Sequence, residues 1–398
     1  MPKISRRAHL MPPSPIRKLV PFAEDAKKRN IHVYHINIGQ PDIKSPKVFM
    51  DAFRNHNLDV LPYGHSAGLW EYRDELVKYY KRFNIEIGSE NIVVTSGGSE
   101  AIIFAMMAVM DPGEEIIIPE PFYTNYNGFA VEAGIKIVPV TSTVETGFNL
   151  PPIDEIENKI TKKTRAIMIC TPNNPTGYIY TPQEMEQLRQ LVIDHNLFFF
   201  SDEVYREFIY DGAVYTSVLH LKDIADRAVL LDSISKRYSV CGARIGCLVT
   251  HNQEILDASL RLGQARLCPA TLEQLAAKAA VNTPQSYFDE VLEDYKKRRD
   301  VVFTELEKIP GVVALKPQGA FYTIVKLPVD DADKFSTWLL KDYHLDNETI
   351  MLAPANGFYA SPDKGIDEVR IAFVLNVTDM KRSMEILREG LKVYPGRK

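Results

Sequence analysis

Short apolar runs alternate with helical patterns from about residue 20 to residue 280, which is typical of a βαβ architecture. Ile153, Ile156 and Ile160 form a helical stripe between two of these runs. The pattern therefore predicts an α/β domain with a mainly parallel sheet flanked by helices. The predicted buried strands are 92–94, 115–118, 165–170, 197–200, 228–231 and 246–249.

The pattern changes after residue 280 to a mixture of helices and separate strands, which predicts a smaller α+β domain. Its predicted elements are a charged helix around 285–308, strands at 312–315, 321–325 and 369–373, and a closing helix at 377–392. We expect an extended N-terminal arm at 1–20, a small domain built from 21–45 and 285–398, and a large domain at 46–284.

The charge of the chain excludes some classes of partner. Its 398 residues carry a formal net charge of −5, which gives no electrostatic reason to expect a nucleic acid or an acidic membrane surface. Lys296, Lys297, Arg298 and Arg299 form a basic run, but acidic residues surround it. We therefore expect this run to be a solvated helix face.

Cysteine and histidine spacing gives no disulfide framework or metal site. The four cysteines, at 170, 241, 247 and 268, form no CxxC pair, which favours reduced thiols in a cytoplasmic protein. His32 and His35 have no accompanying ligand set, so we expect no metal. No stretch approaches the roughly 20 apolar residues of a membrane span, so we expect no membrane association.

Polar clusters follow the ends of four predicted strands. Since ligands of open α/β sheets bind beyond the carboxyl ends of the strands, these clusters predict one site. The clusters are Ser96-Gly97-Gly98-Ser99, Thr171-Pro172-Asn173-Asn174-Pro175-Thr176-Gly177, Ser201-Asp202-Glu203-Val204-Tyr205 and Ser233-Ile234-Ser235-Lys236.

The first cluster opens a segment, 101–110, that is apolar on every side, which predicts a buried helix. Asp111-Pro112-Gly113 ends it. The free N–H groups at the start of this helix suit a phosphate, and glycines allow close approach of the backbone. A plain turn is the alternative for Gly97-Gly98 taken alone.

Lys236 directly follows a predicted buried strand, although lysine is rarely buried. A desolvated amine with a lowered pKa could form a Schiff base, whereas the ordinary alternative is a surface lysine. Asp202 offers a carboxylate that would keep a cofactor's pyridine nitrogen protonated, although an aspartate after a strand is also a common helix cap.

Taken together, these motifs resemble class I/II aminotransferases of fold type I. Ser233-x-Ser235-Lys236 with Gly242-x-Arg244-x-Gly246 is similar to the lysine signature of that family. Pro172-Asn173-Asn174-Pro175-Thr176-Gly177 and Asp202-Glu203-Val204-Tyr205 resemble its other hallmark stretches, in the expected order. The resemblance runs from about Ile36 to Arg370 and implies pyridoxal 5′-phosphate as the cofactor.

The resemblance also implies roles for individual residues. Lys236 would carry the cofactor as a Schiff base and move the proton at the substrate α-carbon, with Asp202 at the pyridine nitrogen. Tyr205 and Asn174 would hydrogen-bond the phenolic oxygen of the ring, and Tyr123 would stack on it. The phosphate would be held by Gly97, Gly98, Ser99, Ser233 and Arg244. Tyr63 matches a tyrosine that reaches the phosphate of the neighbouring subunit, which implies a homodimer with shared active sites.

For the substrate, Arg370 resembles the arginine that binds the α-carboxylate, a task suited to a bidentate guanidinium. Gly39 and Asn174 match positions that face the substrate. Some relatives that act on aspartate carry a lysine where Ser99 stands. We therefore expect Arg266 either to bind the distal carboxylate of aspartate or glutamate, or to support the dimer interface.

Transamination between an L-amino acid, with aspartate or glutamate favoured, and a 2-oxo acid is the expected function. Alanine or aromatic substrates stay open, because Tyr and Phe residues near 122–126 could form an apolar pocket. A cysteine-conjugate β-lyase and an aminocyclopropane synthase use the same catalytic groups. A sensor domain of a transcription regulator is disfavoured, because the segment before Asn37 is too short for a DNA-binding module.

Overall fold

The computed structural model describes residues 2–56 and 59–398. The strands are β1 His32–His35, β2 Ile92–Thr95, β3 Glu115–Glu120, β4 Lys136–Thr141, β5 Thr164–Cys170, β6 Phe198–Asp202, β7 Ala228–Ser233, β8 Gly246–Val249, β9 Val313–Ala314, β10 Tyr322–Lys326, β11 Glu348–Met351, β12 Ala353–Pro354 and β13 Glu368–Ala372. The helices are α1 Arg6–Leu10, α2 Val20–Lys28, α3 Lys47–Arg54, α4 Trp70–Lys81, α5 Gly97–Val109, α6 Asn125–Ala133, α7 Ile153–Glu157, α8 Pro182–Asp194, α9 Gln253–Arg266, α10 Thr271–Ala280, α11 Gln285–Leu306, α12 Ala332–Lys341 and α13 Val377–Val393.

A seven-stranded sheet forms the centre of the larger part of the chain. Its strand order is β2-β8-β7-β6-β5-β3-β4, and only β8 runs antiparallel to its neighbours. β2, β5, β6 and β7 therefore end at the same edge, where the four polar clusters lie. The predicted α/β class with a mainly parallel sheet is confirmed.

The strands of this sheet are buried because apolar side chains cover both faces. One face packs against α5, α6 and α9, and the other contributes to a core shared with α4, α8 and α10. Thr181 caps α8 through a capping box with Glu184, whose backbone N–H donates to the threonine hydroxyl. The helices that flank the sheet are thus fixed by local capping as well as by burial.

A four-stranded antiparallel sheet, β12-β13-β10-β9, and the parallel pair β1-β11 belong to a second core. The pairing of β1 with β11 joins His32 to Glu348, so an early segment and a late segment share one unit. This pairing supports the division at 21–45 and 285–398, whose boundaries stay a prediction. β1, β4, β11 and β12 were not predicted as strands from the sequence.

The basic run on α11 corrects one expectation. Lys296 and Lys297 lie towards solvent, but Arg298 and Arg299 are buried and not part of a solvated face. Arg298 donates to Asp42 and to the Val374 carbonyl, and Arg299 forms an ion pair with Asp211 at 2.7 Å. The helical period explains the difference, because 298 and 299 follow buried Tyr295 by three and four positions.

The N-terminal arm and the helix after Gly97-Gly98 also differ from expectation. The arm contains the short helix α1 and a turn that leads into α2, so it is not extended throughout. On α5 the side chain of Met107 is 48% exposed, so this helix is buried on most sides and not on all. Among the described residues, every helix is too short or too polar to cross a membrane.

Candidate active site

A cavity of about 560 Å³ lies beyond the carboxyl ends of β5, β6 and β7. Five charged side chains line it, namely Arg17, Asp202, Lys236, Arg244 and Arg370. Two cores meet there, because the central sheet supplies Asp202 and Lys236 while β13 of the small antiparallel sheet supplies Arg370. The site is therefore built between two packing units.

Lys236 follows β7 and extends its amine across the cavity. Its Nζ donates to the Gly39 carbonyl at 2.8 Å and lies 3.8 Å from the sulfur of Cys241. Burial lowers the pKa of Lys236, but the phenols of Tyr322 and Tyr123 and the Cys241 thiol outweigh it, so the pKa is raised. The expected lowered pKa is thus wrong for the free amine. Its hydrogen bond to the Gly39 carbonyl holds the amine in place.

Asp202 ends β6 and is buried. Tyr126 donates its hydroxyl to the carboxylate at 2.7 Å, and the Val204 N–H donates to it at 3.3 Å. Burial raises the pKa of Asp202 to about 6, although these two hydrogen bonds lower it. A carboxylate in this state gains stability from a cationic N–H placed against it, so it is suited to a protonated ring nitrogen.

A hydrogen-bonded chain of side chains crosses the cavity floor. Asn174 Nδ2 donates to the Tyr205 hydroxyl at 3.4 Å, and the hydroxyls of Tyr205 and Tyr322 lie 3.0 Å apart. Burial raises the pKa of Tyr205 well above its ordinary value, so its phenol stays a proton donor at neutral pH. Tyr322 also faces Gly39, where a Cβ would collide with its ring, so glycine is needed there.

Arg370 lies in the middle of β13, opposite Ile324 of β10. Its guanidinium donates to Asn174 Oδ1 at 3.0 Å and to the Asn37 carbonyl at 2.6 Å. The rings of Tyr322 and Phe358 lie 4.5 and 4.8 Å from its central carbon. Within the described residues its buried Nε has no hydrogen-bond partner. Arg370 is thus a fixed cation with a donor left for a ligand.

The start of α5 forms a cradle beside Lys236. Gly97 has a φ of +79°, and a Cβ there would collide with the guanidinium of Arg244. Arg244, itself at a φ of +54°, donates to the Cys241 carbonyl at 3.0 Å. Gly98 and Ser99 line the cavity, and the Ser233 hydroxyl lies 2.7 Å from that of Ser235. Helix N–H groups, hydroxyls and a guanidinium converge as a phosphate requires.

Comparison with known proteins decides the family. The profile of the aminotransferase class I and II family matches residues 31–387. The chain belongs to this family. An aspartate aminotransferase from Bacillus subtilis is 29% identical over 98% of this chain and 100% of its own.

Solved structures agree with this assignment. An aspartate aminotransferase from Thermus thermophilus with maleate has a TM-score of 0.89 at 25% identity, covering 98% of this chain and 100% of its own. An alanine aminotransferase from Pyrococcus furiosus has a TM-score of 0.88 at 31% identity, with the same coverage. The chain is thus a fold type I aminotransferase, and pyridoxal 5′-phosphate is its cofactor.

The cavity of this aminotransferase fits that cofactor. Asp202 is the one carboxylate among the described residues that line the cavity, and it suits the ring nitrogen. Arg244 can lie beside the start of α5 only because Gly97 has no Cβ, which leaves its guanidinium at the cavity for a phosphate. Lys236 provides the amine between these two groups. The fit rests on the charge and shape of the residues themselves.

A buried ion cluster fixes the backbone on both sides of the aminotransferase site. Asp232 accepts a hydrogen bond from Arg237 at 2.8 Å and lies 3.3 Å from Arg206. Burial raises the pKa of Asp232, but the two guanidinium groups outweigh it and lower the pKa overall. Arg206 follows Tyr205, and Arg237 follows Lys236, so the cluster ties two reactive segments together. The sequence analysis did not find it.

Three predicted site residues do not line the cavity. Gly97 lies behind Arg244, as described above. Tyr63 is 79% exposed, as a residue that serves a neighbouring subunit would be. Arg266 faces Glu100 at 3.3 Å and donates to the carbonyls of Ser66 and Val94. Within the described chain Arg266 is therefore paired with an acid and does not line the cavity.

The apolar pocket expected near 122–126 is also absent from the described cavity. Phe122 and Tyr126 are buried in the core behind it, and only Tyr123 and Asn125 line it. Tyr126 instead supports Asp202, and burial raises the pKa of Tyr123. Segment 122–126 therefore supplies the ring of Tyr123 to the cavity and a hydrogen bond from Tyr126 to Asp202, and it does not form an apolar wall.

Tyr322, Tyr126 and Arg17 are the site residues that the sequence analysis missed. Tyr322 lies in a predicted strand, but the sequence does not show which strand it pairs with. In the structure Ile324 pairs with Arg370, and this pairing places Tyr322 diagonally opposite Arg370. Tyr126 lies in a helix, three residues from Tyr123, with no motif to mark it. Arg17 lies in the arm, which has no regular pattern.

Proposed function

We propose that this aminotransferase moves an amino group between aspartate or glutamate and a 2-oxo acid. The observation that carries the proposal is that Lys236 and Arg370, an amine and a buried guanidinium with a free donor, face one cavity. The likeness to aspartate aminotransferases over 98% of the chain supports acidic substrates.

Pyridoxal 5′-phosphate, when bound, supplies an aldehyde for the amino group and a ring that accepts electrons from the α-carbon. Arg370 binds the α-carboxylate and fixes the orientation of the substrate. Lys236 Nζ, oriented by the Gly39 carbonyl, takes the proton from the α-carbon and returns one. The hydrogen-bonded neighbours of this amine are thus the groups that direct the proton.

The remaining side chains hold the cofactor and set its charge. Asp202 would keep a proton on the ring nitrogen, and Tyr126 keeps its carboxylate in place. Tyr205 and Asn174, which are hydrogen-bonded to each other, would bind the phenolic oxygen. Tyr123 would lie against the ring. The cradle of Gly97, Gly98, Ser99, Ser233 and Arg244 would hold the phosphate.

We further propose a cytoplasmic homodimer with shared sites. Apolar side chains around Tyr63 are exposed, with Val60 at 73% and Leu61 at 55%. Leu267, at 51%, follows Arg266, which donates to the Ser66 carbonyl, so these side chains belong to one region of the surface. Such a region favours a protein partner. The four free cysteines support a reducing compartment.

A second candidate is an alanine aminotransferase, which the likeness to the Pyrococcus furiosus enzyme supports. Alanine and aspartate share the α-carboxylate that Arg370 would bind and differ in the second carboxylate. The two candidate functions therefore use the same catalytic groups and differ only in the charge of the substrate side chain.

Steady-state rates with aspartate, glutamate, alanine and phenylalanine, each with a suitable 2-oxo acid, test the proposal. We expect kcat/KM for the two acidic amino acids to exceed that for alanine by about 10-fold or more, the effect of one charged hydrogen-bonded contact. A preference for alanine would contradict the acidic assignment. Pyruvate and ammonia from a cysteine conjugate, without amino transfer, would indicate a lyase.

A further inference from the structure

The N-terminal arm forms part of the wall of the cavity. Ser14, Ile16, Arg17 and Val20 all line it, together with Lys236 and Arg370. The arm lies outside the four motifs that carry the family resemblance. It nevertheless contributes one of the five charged side chains of the site.

Contacts on both sides of Arg17 hold the arm in place. Ile16 packs against an apolar cluster that contains Phe358, the same ring that supports Arg370. Lys18 forms an ion pair with Asp333 at 2.5 Å, and Leu19, 2% exposed, lies in a core with α2. Arg17 thus lines the cavity, whereas Ile16, Lys18 and Leu19 contact other parts of the chain.

A turn fixes the backbone of Arg17 itself. Its N–H donates to the Ser14 hydroxyl and carbonyl at 3.3 and 3.2 Å, and its carbonyl accepts from the Val20 N–H at 3.0 Å. No carboxylate among the described residues lies within ion-pair distance of its guanidinium. Arg17 therefore has a fixed backbone and an exposed side chain whose charge the described chain does not neutralise.

The charges of the cavity leave Arg17 without an assigned ligand. Four cations, Arg17, Lys236, Arg244 and Arg370, face one carboxylate, Asp202. Lys236 reacts with the cofactor, Arg244 serves its phosphate and Arg370 serves the α-carboxylate. Only Arg17 remains without an assigned anion, so it is available to a second anionic group of a substrate.

The residue predicted from the sequence does not fill this role within the described chain, because Arg266 is paired with Glu100. Ser99, where some relatives carry a lysine, has no charge. Arg17 reaches the same cavity without an acidic competitor, at the side where the arm lies.

We propose that Arg17 binds the distal carboxylate of dicarboxylic amino acids and of their 2-oxo acids and so sets the substrate class. This inference rests on the proposed function and names the residue that would select acidic substrates. Arg17 touches the substrate and takes no part in proton transfer. Its effect therefore falls on binding of the second carboxylate alone.

Kinetics of Arg17→Met, Arg17→Lys and Lys18→Met holoenzymes test the proposal. Arg17→Met should lower kcat/KM for aspartate and glutamate by about 10- to 100-fold, because one charge-assisted contact is lost. Alanine should change by about twofold at most. Arg17→Lys should lie between wild type and Arg17→Met for the acidic substrates. Lys18→Met removes a cation from the same arm outside the cavity. Since its ion pair with Asp333 is partly exposed and contributes little, the variant should change kcat/KM for every substrate by about twofold at most.

Binding of unreactive acids provides a second readout that needs no turnover. Maleate, a dicarboxylate, should bind Arg17→Met about 10- to 100-fold more weakly than wild type, whereas propionate should bind both alike. Equal losses for aspartate and alanine, or unchanged maleate binding, would overturn the assignment of Arg17. A wild-type enzyme that prefers alanine yet loses maleate affinity in Arg17→Met would instead overturn the acidic substrate and leave the Arg17 contact standing.

Discussion

At the scale of single residues, the site consists of charged groups whose environments were not visible in the sequence. The polar clusters at the strand ends predicted that Lys236, Asp202, Asn174 and Tyr205 would meet, and the family resemblance added Arg370. All five line one cavity. The raised pKa of Lys236 was not predictable, because it arises from Tyr322, Cys241 and Tyr123, which folding brings together. The pKa of Lys236 is therefore set by residues that are close to it in the fold and distant in the sequence.

Asp202 gives a prediction in pH. Burial raises its pKa from 3.8 to about 6, so the cofactor-free folded protein keeps a proton that the unfolded chain loses first. The free energy of unfolding contributed by this group is thus full below about pH 4 and falls as pH rises through 6. Between pH 5 and pH 8, wild type should lose about 1–2 kcal/mol relative to Asp202→Asn, which does not titrate.

Urea unfolding of both cofactor-free proteins at the two pH values, at equal protein concentration, measures this difference. A gap between them that stays constant with pH would show that Asp202 is ionised normally. With cofactor bound, the pH-dependent difference should disappear, because a ring cation lowers the pKa of the carboxylate.

At the scale of elements, the boundaries that periodicity predicts are close to those observed, and the strands that it missed are irregular. The predicted strand 246–249 matches β8. β4 carries Pro139 and lies at the edge of the sheet, so its sequence does not look like a buried strand. β11 is held by pairing with β1 across more than 300 residues, which no local pattern encodes.

The start of α5 gives the prediction at this scale. Gly97→Ala should destabilise the protein by about 1–2 kcal/mol, because alanine disfavours a positive φ, and should also displace Arg244 and weaken cofactor binding. Gly113→Ala is the matched control, since Gly113 has a φ of +91° with nothing within 4 Å of a new Cβ. It should show the same backbone cost without the loss of cofactor affinity.

Thermal unfolding and titration with pyridoxal 5′-phosphate separate the two effects. If both variants bound the cofactor as tightly as wild type, the cradle would not be the phosphate site.

At the scale of the whole molecule, the sequence predicted the α/β class and the smaller α+β unit, but not how charge is buried between elements. Arg298, read as solvated, joins α11 to the loop of Gly39 through Asp42. The guanidinium is buried because α11 packs against that loop and against the segment of Val374. Such contacts depend on tertiary packing. A local pattern of charged residues cannot show whether an arginine is buried in such a contact or exposed on the surface.

The position of Tyr63 carries the account beyond one chain. Its side chain is exposed and lies outside the cavity of its own chain, whereas Lys236 lies inside. If two copies share sites, a complete site needs Lys236 from one copy and Tyr63 from the other. A subunit that lacks one of these residues can then be complemented by a subunit that lacks the other.

We propose that amino transfer depends on Lys236 in a site that two copies share. The most direct measurement is the amino transfer rate of Lys236→Ala protein, alone and as hybrids co-expressed with Tyr63→Ala protein. We expect folded Lys236→Ala to show no turnover alone and the hybrids to recover about half the wild-type rate per dimer, since one of two sites is intact. Turnover by Lys236→Ala alone, or hybrids no faster than Tyr63→Ala alone, would contradict the account.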